Sequence, residues 1–483
     1  MGILALLLPA VAGWFIVRLV LPSWRLSPCW AARVFEAVLG AGLGVGASSL
    51  IYFVMRLCGA SGFGSILACD LLLLVIPAAI WWRRRRIEEP QPTVASPAFR
   101  WNALLAGALA VGFLLTTLSF IETYNAMPHG EWDAWSTWNA RAKFLASDGD
   151  AWRNAWSPLL VRTHPGYPLL LSGVVARTWR YGGTGTPSSV PAAVAYLFLA
   201  GTTVLLVTGV GVLWSASSGL LAGLLLLAGT KFVSTGMAQY ADVPLSFYML
   251  ATLVLITLAE SAGERRRTVL ALAGVMAGLA AWTKSEGLLF LCCVFVGLAA
   301  ARWREGGPKP AARDSIWFMA GSLPGLAVTL WFKLVLVQSV DPEAQLSLGG
   351  IASSVTHPDR YVTILEAFWK EILAFGGTWT HPLLLIVIVA AVLRFRPSVR
   401  RRHPPLAAAI AFVLLIVGYV GVYVTTPVDL KWLLGTSLGR LGAQVWPSAI
   451  LLLMLTLGRP EDAVVLRKER SSRKSARAGK GRQ

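Results

Sequence analysis

The chain has 483 residues, of which 56% are hydrophobic and only 14% are charged. Soluble domains carry about 25% charged residues, so this composition excludes an ordinary soluble protein and indicates an integral membrane protein. The net charge of +19 lies mostly in short basic runs beside apolar segments (83–86, 265–267, 400–402 and after 459), as the positive-inside rule predicts. We interpret this charge as membrane orientation and expect no nucleic-acid partner.

Apolar runs of about 20 residues match the roughly 30 Å hydrocarbon core of a bilayer and lack the alternation of barrel strands. The sequence therefore predicts an all-α, polytopic membrane protein with about thirteen membrane-spanning helices. The first apolar segment has basic residues at its far end, so we expect a retained span and not a signal peptide. The predicted spans are 2–21, 34–56, 64–82, 101–121, 188–213, 215–233, 240–259, 268–284, 286–303, 314–338, 380–396, 405–424 and 441–458.

These spans predict an N-terminal three-helix membrane segment, residues 1–86, and a larger membrane domain, residues 101–458. A cytoplasmic linker, 87–100, separates them. The basic stretch 459–483 has no apolar periodicity, which predicts a disordered cytoplasmic tail. The five cysteines show neither a disulfide framework nor metal-ligand spacing.

Residues 122–187 form the longest polar stretch and are predicted to be a large outer loop with short surface helices. If every basic run faces the cytoplasm, the polar motifs described next all fall on the outer side. This arrangement requires that 167–179 does not cross the membrane. We therefore expect that segment to be a surface-lying or re-entrant helix.

Two acids and several tryptophans begin the outer loop in the sequence His129-Gly-Glu131-Trp-Asp133-Ala-Trp135-Ser-Thr-Trp138. A general base for a hydroxyl nucleophile requires a carboxylate held near its substrate, and Asp133 and Glu131 are candidates. The tryptophans could stack on sugar rings. The alternative is a solvated loop whose tryptophans form an interfacial belt.

Cations and a proline-rich motif follow. Arg141 and Lys143 could bind a phosphate, Arg141 through a bidentate fork and Lys143 as a point charge; Lys143 could instead anchor a surface helix. In His164-Pro-Gly-Tyr167-Pro, the prolines exclude regular helix and present His164 at the interface. His164 is either structural or a substrate ligand.

Further polar residues interrupt apolar runs at Tyr240-Ala-Asp242-Val-Pro and Lys284-Ser-Glu286-Gly. Asp242 could cap a helix, although an ionisable residue at membrane depth is by default a functional candidate. Lys284 could pair with Glu286 or face a lipid phosphate.

The last predicted outer loop carries Lys431 and Arg440. Arg440 precedes the final predicted span and would lie at headgroup level. There it could extend to the interface without a role, or bind a phosphate that enters from the leaflet.

Four motifs occur in a fixed order: Glu-x-Asp at 131–133, His-Pro-x-Tyr-Pro at 164–168, Tyr-Ala-Asp-x-Pro at 240–244 and Thr-Lys-x-Glu-Gly at 283–287. Together they resemble bacterial members of the C-type (GT-C) glycosyltransferase superfamily, which includes protein mannosyltransferases, aminoarabinose transferases of lipid A and lipopolysaccharide-core glycosyltransferases. The resemblance covers about residues 100–450. Many relatives have Pro-Pro-Leu where this chain has Gly-Tyr-Pro, and the three leading spans lie outside the common pattern.

The resemblance implies a GT-C-like enzyme with a polyprenyl-phosphate-linked sugar as donor and an envelope glycan, lipid or protein as acceptor. The active site would face the outside of a bacterial inner membrane. By this similarity Asp133 is the catalytic base and Glu131 a second acid, in an inverting displacement. A divalent cation could bridge the acids and the phosphate, but the sequence contains no closed set of metal ligands.

Charge and position extend the candidate site beyond these acids. The candidates for donor-phosphate binding are Arg141, Lys143, Lys284, Lys431 and Arg440. The candidates for substrate binding are His164, Tyr167, Tyr240, Asp242, Glu286, Trp135 and Trp138. A transporter or lipid flippase of envelope glycan precursors is the main alternative function, and a non-catalytic scaffold is a third. The lack of an internal repeat and the acidic, Trp-rich outer loop favour the enzyme.

Overall fold

The computed structural model describes residues 2–21, 29–85, 101–183, 185–337, 354–375, 381–394 and 405–462. The regular elements within these ranges are helices. The predicted linker and most of the predicted basic tail lie outside the described residues, as does the basic run at 400–402.

Seventeen α-helices are numbered here in chain order within the described ranges. They are α1 Gly2–Val20, α2 Cys29–Leu57, α3 Phe63–Arg85, α4 Asn102–Ala126, α5 Ala140–Ala146, α6 Leu170–Gly182, α7 Ser189–Leu213, α8 Ala216–Ala228, α9 Thr230–Met237, α10 Asp242–Ala259, α11 Arg266–Thr283, α12 Ser285–Gly306, α13 Pro308–Trp331, α14 Pro358–Ala374, α15 Pro382–Leu393, α16 Leu406–Thr425 and α17 Leu430–Thr456.

Ten of the described helices are long and apolar enough to cross a bilayer, or eleven if the α8–α9 pair counts as one span. This confirms an all-α polytopic membrane protein, with fewer such helices in the described residues than the thirteen predicted. The pair α8–α9 is bent by 68°. Helix α11 begins with two arginines and is less apolar, and α15 has only 12 residues. Helical periodicity alone does not distinguish such elements from full spans.

The predicted outer loop contains short helical elements: a π-helix at Ala134–Asn139, α5, 3-10 turns at 151–156 and 158–163, and α6. Helix α6 has 13 residues and is about 20 Å long, too short to cross the hydrocarbon core. The expectation that this segment does not cross is therefore met. However, α6 is buried along nearly its whole length, so it lies inside the protein and not on the surface.

The N-terminal helices pack directly against this loop region. Helix α2 contacts α6 and α7, and a row of polar side chains reaches from α2 to the backbone of the loop. Ser49 Oγ donates to Leu170 O (2.8 Å), and Tyr52 Oη donates to Leu145 O (2.8 Å). The three leading helices therefore support the polar region that precedes α7.

A buried ion pair fastens α3 to α6. The carboxylate of Asp70 is paired with Arg177 and accepts a hydrogen bond from Tyr181, while Arg177 also donates to the carbonyl of Ala5 on α1. Arg177 and Asp70 are both buried. Removing one member of such a pair leaves an uncompensated charge inside the protein.

We expect Asp70→Leu to destabilise the protein by about 3–5 kcal/mol, because the Arg177 guanidinium would remain buried without a counter-ion. Thermal unfolding of the detergent-solubilised protein measures this as a lower Tm. The double variant Asp70→Leu/Arg177→Met should recover most of the loss, since no buried charge then remains. A single variant with the wild-type Tm would show that the pair does not hold α3 against α6.

Candidate functional site

The loop that leads into the acidic motif is docked on the turn between α9 and α10. Gly130 adopts φ +74°, and a Cβ there would lie 2.7 Å from the carbonyl oxygen of Ala238. The amide of Glu131 donates to that same carbonyl (3.2 Å). Gly130 is therefore needed for both its left-handed backbone and its close approach, and it fixes the two acids beside the start of α10.

Asp133 directly precedes the π-helix at Ala134–Asn139. Isolated π-helical turns occur often at functional sites, because the extra residue changes the direction of the side chains around it. The Asp133 side chain is 18% exposed. It is therefore partly shielded, yet open to a substrate.

Two breaks between helices supply the next charged groups. Asp242 lies in the first turn of α10, where the helix dipole favours a carboxylate. Lys284 is the extended residue between α11 and α12, with φ −151° and ψ 163°, and Glu286 follows in the first turn of α12. A Cβ at Gly287 would lie 1.9 Å from Ala280 O, so this sharp connection requires glycine.

These groups form one hydrogen-bonded set, which we call the charged network. Lys284 Nζ donates to Asp242 Oδ1 and lies at the same distance, 2.9 Å, from Glu286 Oε1. Arg440 contacts Asp242 Oδ2 through Nε and Nη2 (3.2 and 3.1 Å) and donates to Asp133 Oδ2 through Nη1 (2.6 Å). The network consists of Asp133, Asp242, Lys284, Glu286, Arg440 and Gln444.

Asp242 is fully buried at the centre of the network, whereas Asp133 and Arg440 lie at its partly exposed edge. Arg440 links the two regions, because one guanidinium offers several donors in a rigid plane. Among the described residues of the network, three carboxylates face two cations. Two of the five cations predicted to bind a phosphate, Lys284 and Arg440, are thus already paired with carboxylates, and a phosphate group would share them.

Gln444 and Tyr419 complete the buried side of the network and were not among the predicted site residues. Gln444 Nε2 donates to Asp242 Oδ1 (2.6 Å), while Gln444 Oε1 accepts from Tyr419 Oη (2.7 Å). Both residues are buried. A polar amide in the last span was the available signal, since polar side chains inside membrane helices face partners within the protein.

Tyr240 connects the network to the other acid. Its hydroxyl donates to Glu131 Oε2 (3.0 Å), and the Arg440 guanidinium carbon lies 4.5 Å from its ring centroid. Burial, and then the carboxylate of Glu131, raise the pKa of the Tyr240 hydroxyl above its usual range. It therefore stays protonated and acts as a hydrogen-bond donor.

The proline-rich motif lies beside the network and is held by its backbone. Arg141, fully buried, donates to the carbonyls of Thr163, His164 and Tyr167. Arg141 therefore orders this motif, and its guanidinium does not face a substrate phosphate in this structure. Lys333, absent from the predicted set, donates to Gly166 O and Ser285 Oγ.

The side chains of the motif are partly accessible. His164 is exposed, with φ +52°, and its ring centroid lies 5.3 Å from that of Tyr167. The Tyr167 ring lies 5.5 Å from Lys284 Nζ and stacks on Trp138 at 5.5 Å. Trp138 has no exposed surface. It therefore supports Tyr167 from the core and cannot present its ring to a sugar in this conformation.

Three predicted residues lie apart from the network. Lys431 is exposed near the start of α17, about 13 Å along the helix axis from Arg440. Lys143 and Trp135 are exposed and line a separate cleft on the loop.

The predicted position of Arg440 was wrong. The sequence placed Arg440 before the final span, but α17 begins at Leu430 and Arg440 lies within it.

Another lysine, Lys231, lies against α17 at Gly439. A Cβ at Gly439 would lie 2.5 Å from Lys231 Cε and 2.7 Å from Glu371 Oε1. Lys231 is exposed at the bend between α8 and α9. The sequence gave no distinct signal for it, because one lysine at a helix junction is typical of membrane interfaces.

An apolar cleft of about 240 Å³ has Glu371 in its lining and lies between α14, α15, α16 and α17. Tyr419, which bonds Gln444 of the charged network, also faces this cleft. Its lining consists of Phe368, Glu371, Ile372, Phe375, Leu383, Ile416, Tyr419, Leu438, Leu441, Gly442, Val445 and Trp446.

Among the described residues, no group of three or more His, Cys, Asp or Glu side chains is arranged to hold a metal ion. The divalent cation considered from the sequence thus has no ready ligand group here. The chain matches no known protein family, no curated protein and no solved structure.

Proposed function

We propose that this protein is a GT-C-like membrane glycosyltransferase, which moves a sugar from a polyprenyl-phosphate donor to an acceptor hydroxyl at the outer face of a bacterial inner membrane. The observation that carries the proposal is the position of Asp133. Its carboxylate is partly exposed at the end of a loop and is tied by Arg440, in the middle of α17, to a buried network at the first turns of α10 and α12.

Such a carboxylate is suited to act as a general base. In the proposed reaction, the acceptor oxygen attacks the anomeric carbon of the donor while Asp133 takes the proton of the acceptor hydroxyl. The bond between the anomeric carbon and the phosphate oxygen breaks, and its electron pair leaves with the polyprenyl phosphate. This single displacement inverts the configuration at the anomeric carbon.

The leaving phosphate gains negative charge, which nearby cations stabilise in the transition state. Arg440 is the first candidate, because it is both partly exposed and adjacent to Asp133. Lys231 is the second, since it lies against Gly439 beside Arg440. Lys284 is fully engaged with Asp242 and Glu286, so we assign it to holding the network in place.

The apolar cleft supports a lipid-linked donor. Apolar side chains of four helices line it, and the lining includes Glu371, which shares the surroundings of Gly439 with Lys231. A donor phosphate at Lys231 and Arg440 could thus have the beginning of its hydrocarbon chain in this cleft. Pockets with mostly apolar walls and a few polar groups are typical of small-molecule sites.

The direct test uses membranes that contain the protein and a polyprenyl-phosphate donor carrying a radiolabelled sugar. Formation of a labelled glycosidic product, dependent on the protein, would support the transferase. Movement of the labelled lipid across the membrane without any such product would instead favour the transporter or flippase, and would overturn this proposal.

We expect Lys231→Ala to raise the KM for the lipid-linked donor about tenfold, because one charge-assisted contact with the phosphate is lost. Lys309→Ala is the matched control, since Lys309 is an exposed lysine in the first turn of α13 and lies outside the charged network and the lining of the apolar cleft. An unchanged donor KM in Lys231→Ala, with normal transfer, would remove Lys231 from the donor site.

A further inference from the structure

A second cleft lies on the polar loop, beside the helical segment 134–146. It has a volume of about 380 Å³, within the range of small-molecule sites. Its lining consists of His129, Trp135, Asn139, Lys143, Trp179, Thr186, Ser188 and Pro191. We call this the loop cleft.

The loop cleft continues into an adjoining cleft of about 430 Å³, because Lys143, Trp179 and Thr186 line both. The second part adds Phe63, Ser147 and Arg180. The combined space is too large for one small ion and has room for a chain of a few linked units.

The charge of this space is positive. Lys143 is exposed at the junction of the two parts, and no carboxylate of the described residues lies within ion-pair distance of its Nζ. Arg180 contributes a second cation, which pairs with the largely exposed Asp148 (2.5 Å). Neither part of the cleft has an acidic residue in its lining, so an anionic ligand would meet attraction at Lys143, while Arg180 shares its charge with Asp148.

Other residues of the lining have an aromatic ring or hydroxyl groups, which can bind sugars. Trp135 is 46% exposed and forms part of the lining, so its ring can meet the C–H face of a sugar. The hydroxyls of Thr186, Ser188 and Ser147 can both donate and accept hydrogen bonds. An aromatic surface with hydroxyls and an unpaired lysine indicates an acidic carbohydrate and not a purely apolar ligand.

We propose that the loop cleft binds an acidic segment of the acceptor glycan, with Lys143 contacting its carboxylate or phosphate groups and Trp135 stacking on a sugar ring. This inference rests on the proposed transferase function. His129 and Trp135 lie four and two residues from Asp133 in the chain, so a glycan held here would contact the same loop segment that carries the candidate base. Lys143 thereby serves the acceptor and not, as predicted from sequence, the donor phosphate.

The test measures binding separately from transfer. Purified protein in lipid nanodiscs is titrated with tetragalacturonate, an acidic probe, and with maltotetraose, a neutral one, by calorimetry. We expect tetragalacturonate to bind more tightly than maltotetraose, and Lys143→Ala to weaken its binding about tenfold. Trp135→Ala should weaken both probes, while Lys309→Ala should match the wild type.

Absence of tetragalacturonate binding, or equal binding by wild type and Lys143→Ala, would overturn this inference. Tighter binding of maltotetraose would assign the cleft to neutral glycans and would also overturn it. The Asp133→Asn variant separates the two proposals, because it should bind the acidic probe normally. If that variant also transfers sugar normally while Lys143→Ala loses probe binding, the assignment of the base fails and the cleft assignment remains.

Discussion

Replacing Asp133 by asparagine should abolish sugar transfer while the protein stays folded in the membrane. Asparagine has nearly the same shape, and its amide oxygen can still accept the hydrogen bond from Arg440. It cannot take the proton of the acceptor hydroxyl. Loss of a general base typically costs about 10²–10⁴-fold in rate, so we expect a loss of that size.

The measurement is transfer of radiolabelled sugar from the lipid carrier in membranes with matched amounts of protein. Asp150→Asn is the control, because Asp150 is a highly exposed acid of the same loop that lies 3.8 Å from the Arg153 guanidinium and outside the charged network. That variant should keep wild-type activity, since exposed pairs of this kind contribute little. Full activity in Asp133→Asn would exclude Asp133 as the base.

Replacing Asp242 by alanine should disrupt the charged network, abolish sugar transfer and destabilise the folded protein. Asp242 is fully buried and accepts from Lys284, Arg440 and Gln444. Its removal leaves two cations near the protein interior with fewer counter-ions. Breaking a buried pair in this way costs about 3–5 kcal/mol, which we expect as a marked decrease in Tm and a low yield of folded protein.

Gln444→Ala provides the comparison, because it removes a neutral partner of the same carboxylate. It should cost only about 1–3 kcal/mol. Asp242→Asn keeps the side-chain shape and tests the charge separately. We expect this variant to fold but to transfer sugar about 10–100-fold more slowly, since Arg440 loses a charged contact that positions it beside Asp133. Equal Tm values for Asp242→Ala and Gln444→Ala would contradict the central role of Asp242.

Part of this site could be predicted because charged residues are costly inside a membrane. Asp242, Lys284 and Glu286 interrupt apolar runs, so their positions alone made them candidates. The structure brings them together with Asp133 and Arg440. The positions of these charged residues within apolar runs were thus informative, although the sequence did not specify which of them would pair.

Other residues could not be assigned from local pattern. Arg141 and Trp138 have the functional groups of side chains that bind phosphates and sugars, yet both are buried against the proline-rich motif. Lys231 and Gln444 gave weak signals, yet both lie next to the candidate site. Whether a side chain faces a substrate or the core depends on the neighbouring helices, which the local sequence does not specify.

A helical membrane protein could be predicted from the amino-acid sequence, because long apolar runs in a bilayer must satisfy their backbone hydrogen bonds within helices. Most of the helices and the acidic loop could be located in the same way, since helical length and hydrophobicity are local properties. The pairing of Asp133 with Arg440, 307 residues away, and the early start of α17, which places Arg440 inside that helix, became visible in the three-dimensional structure. Such pairs arise from packing between distant helices, so no window of the sequence contains the information that specifies them.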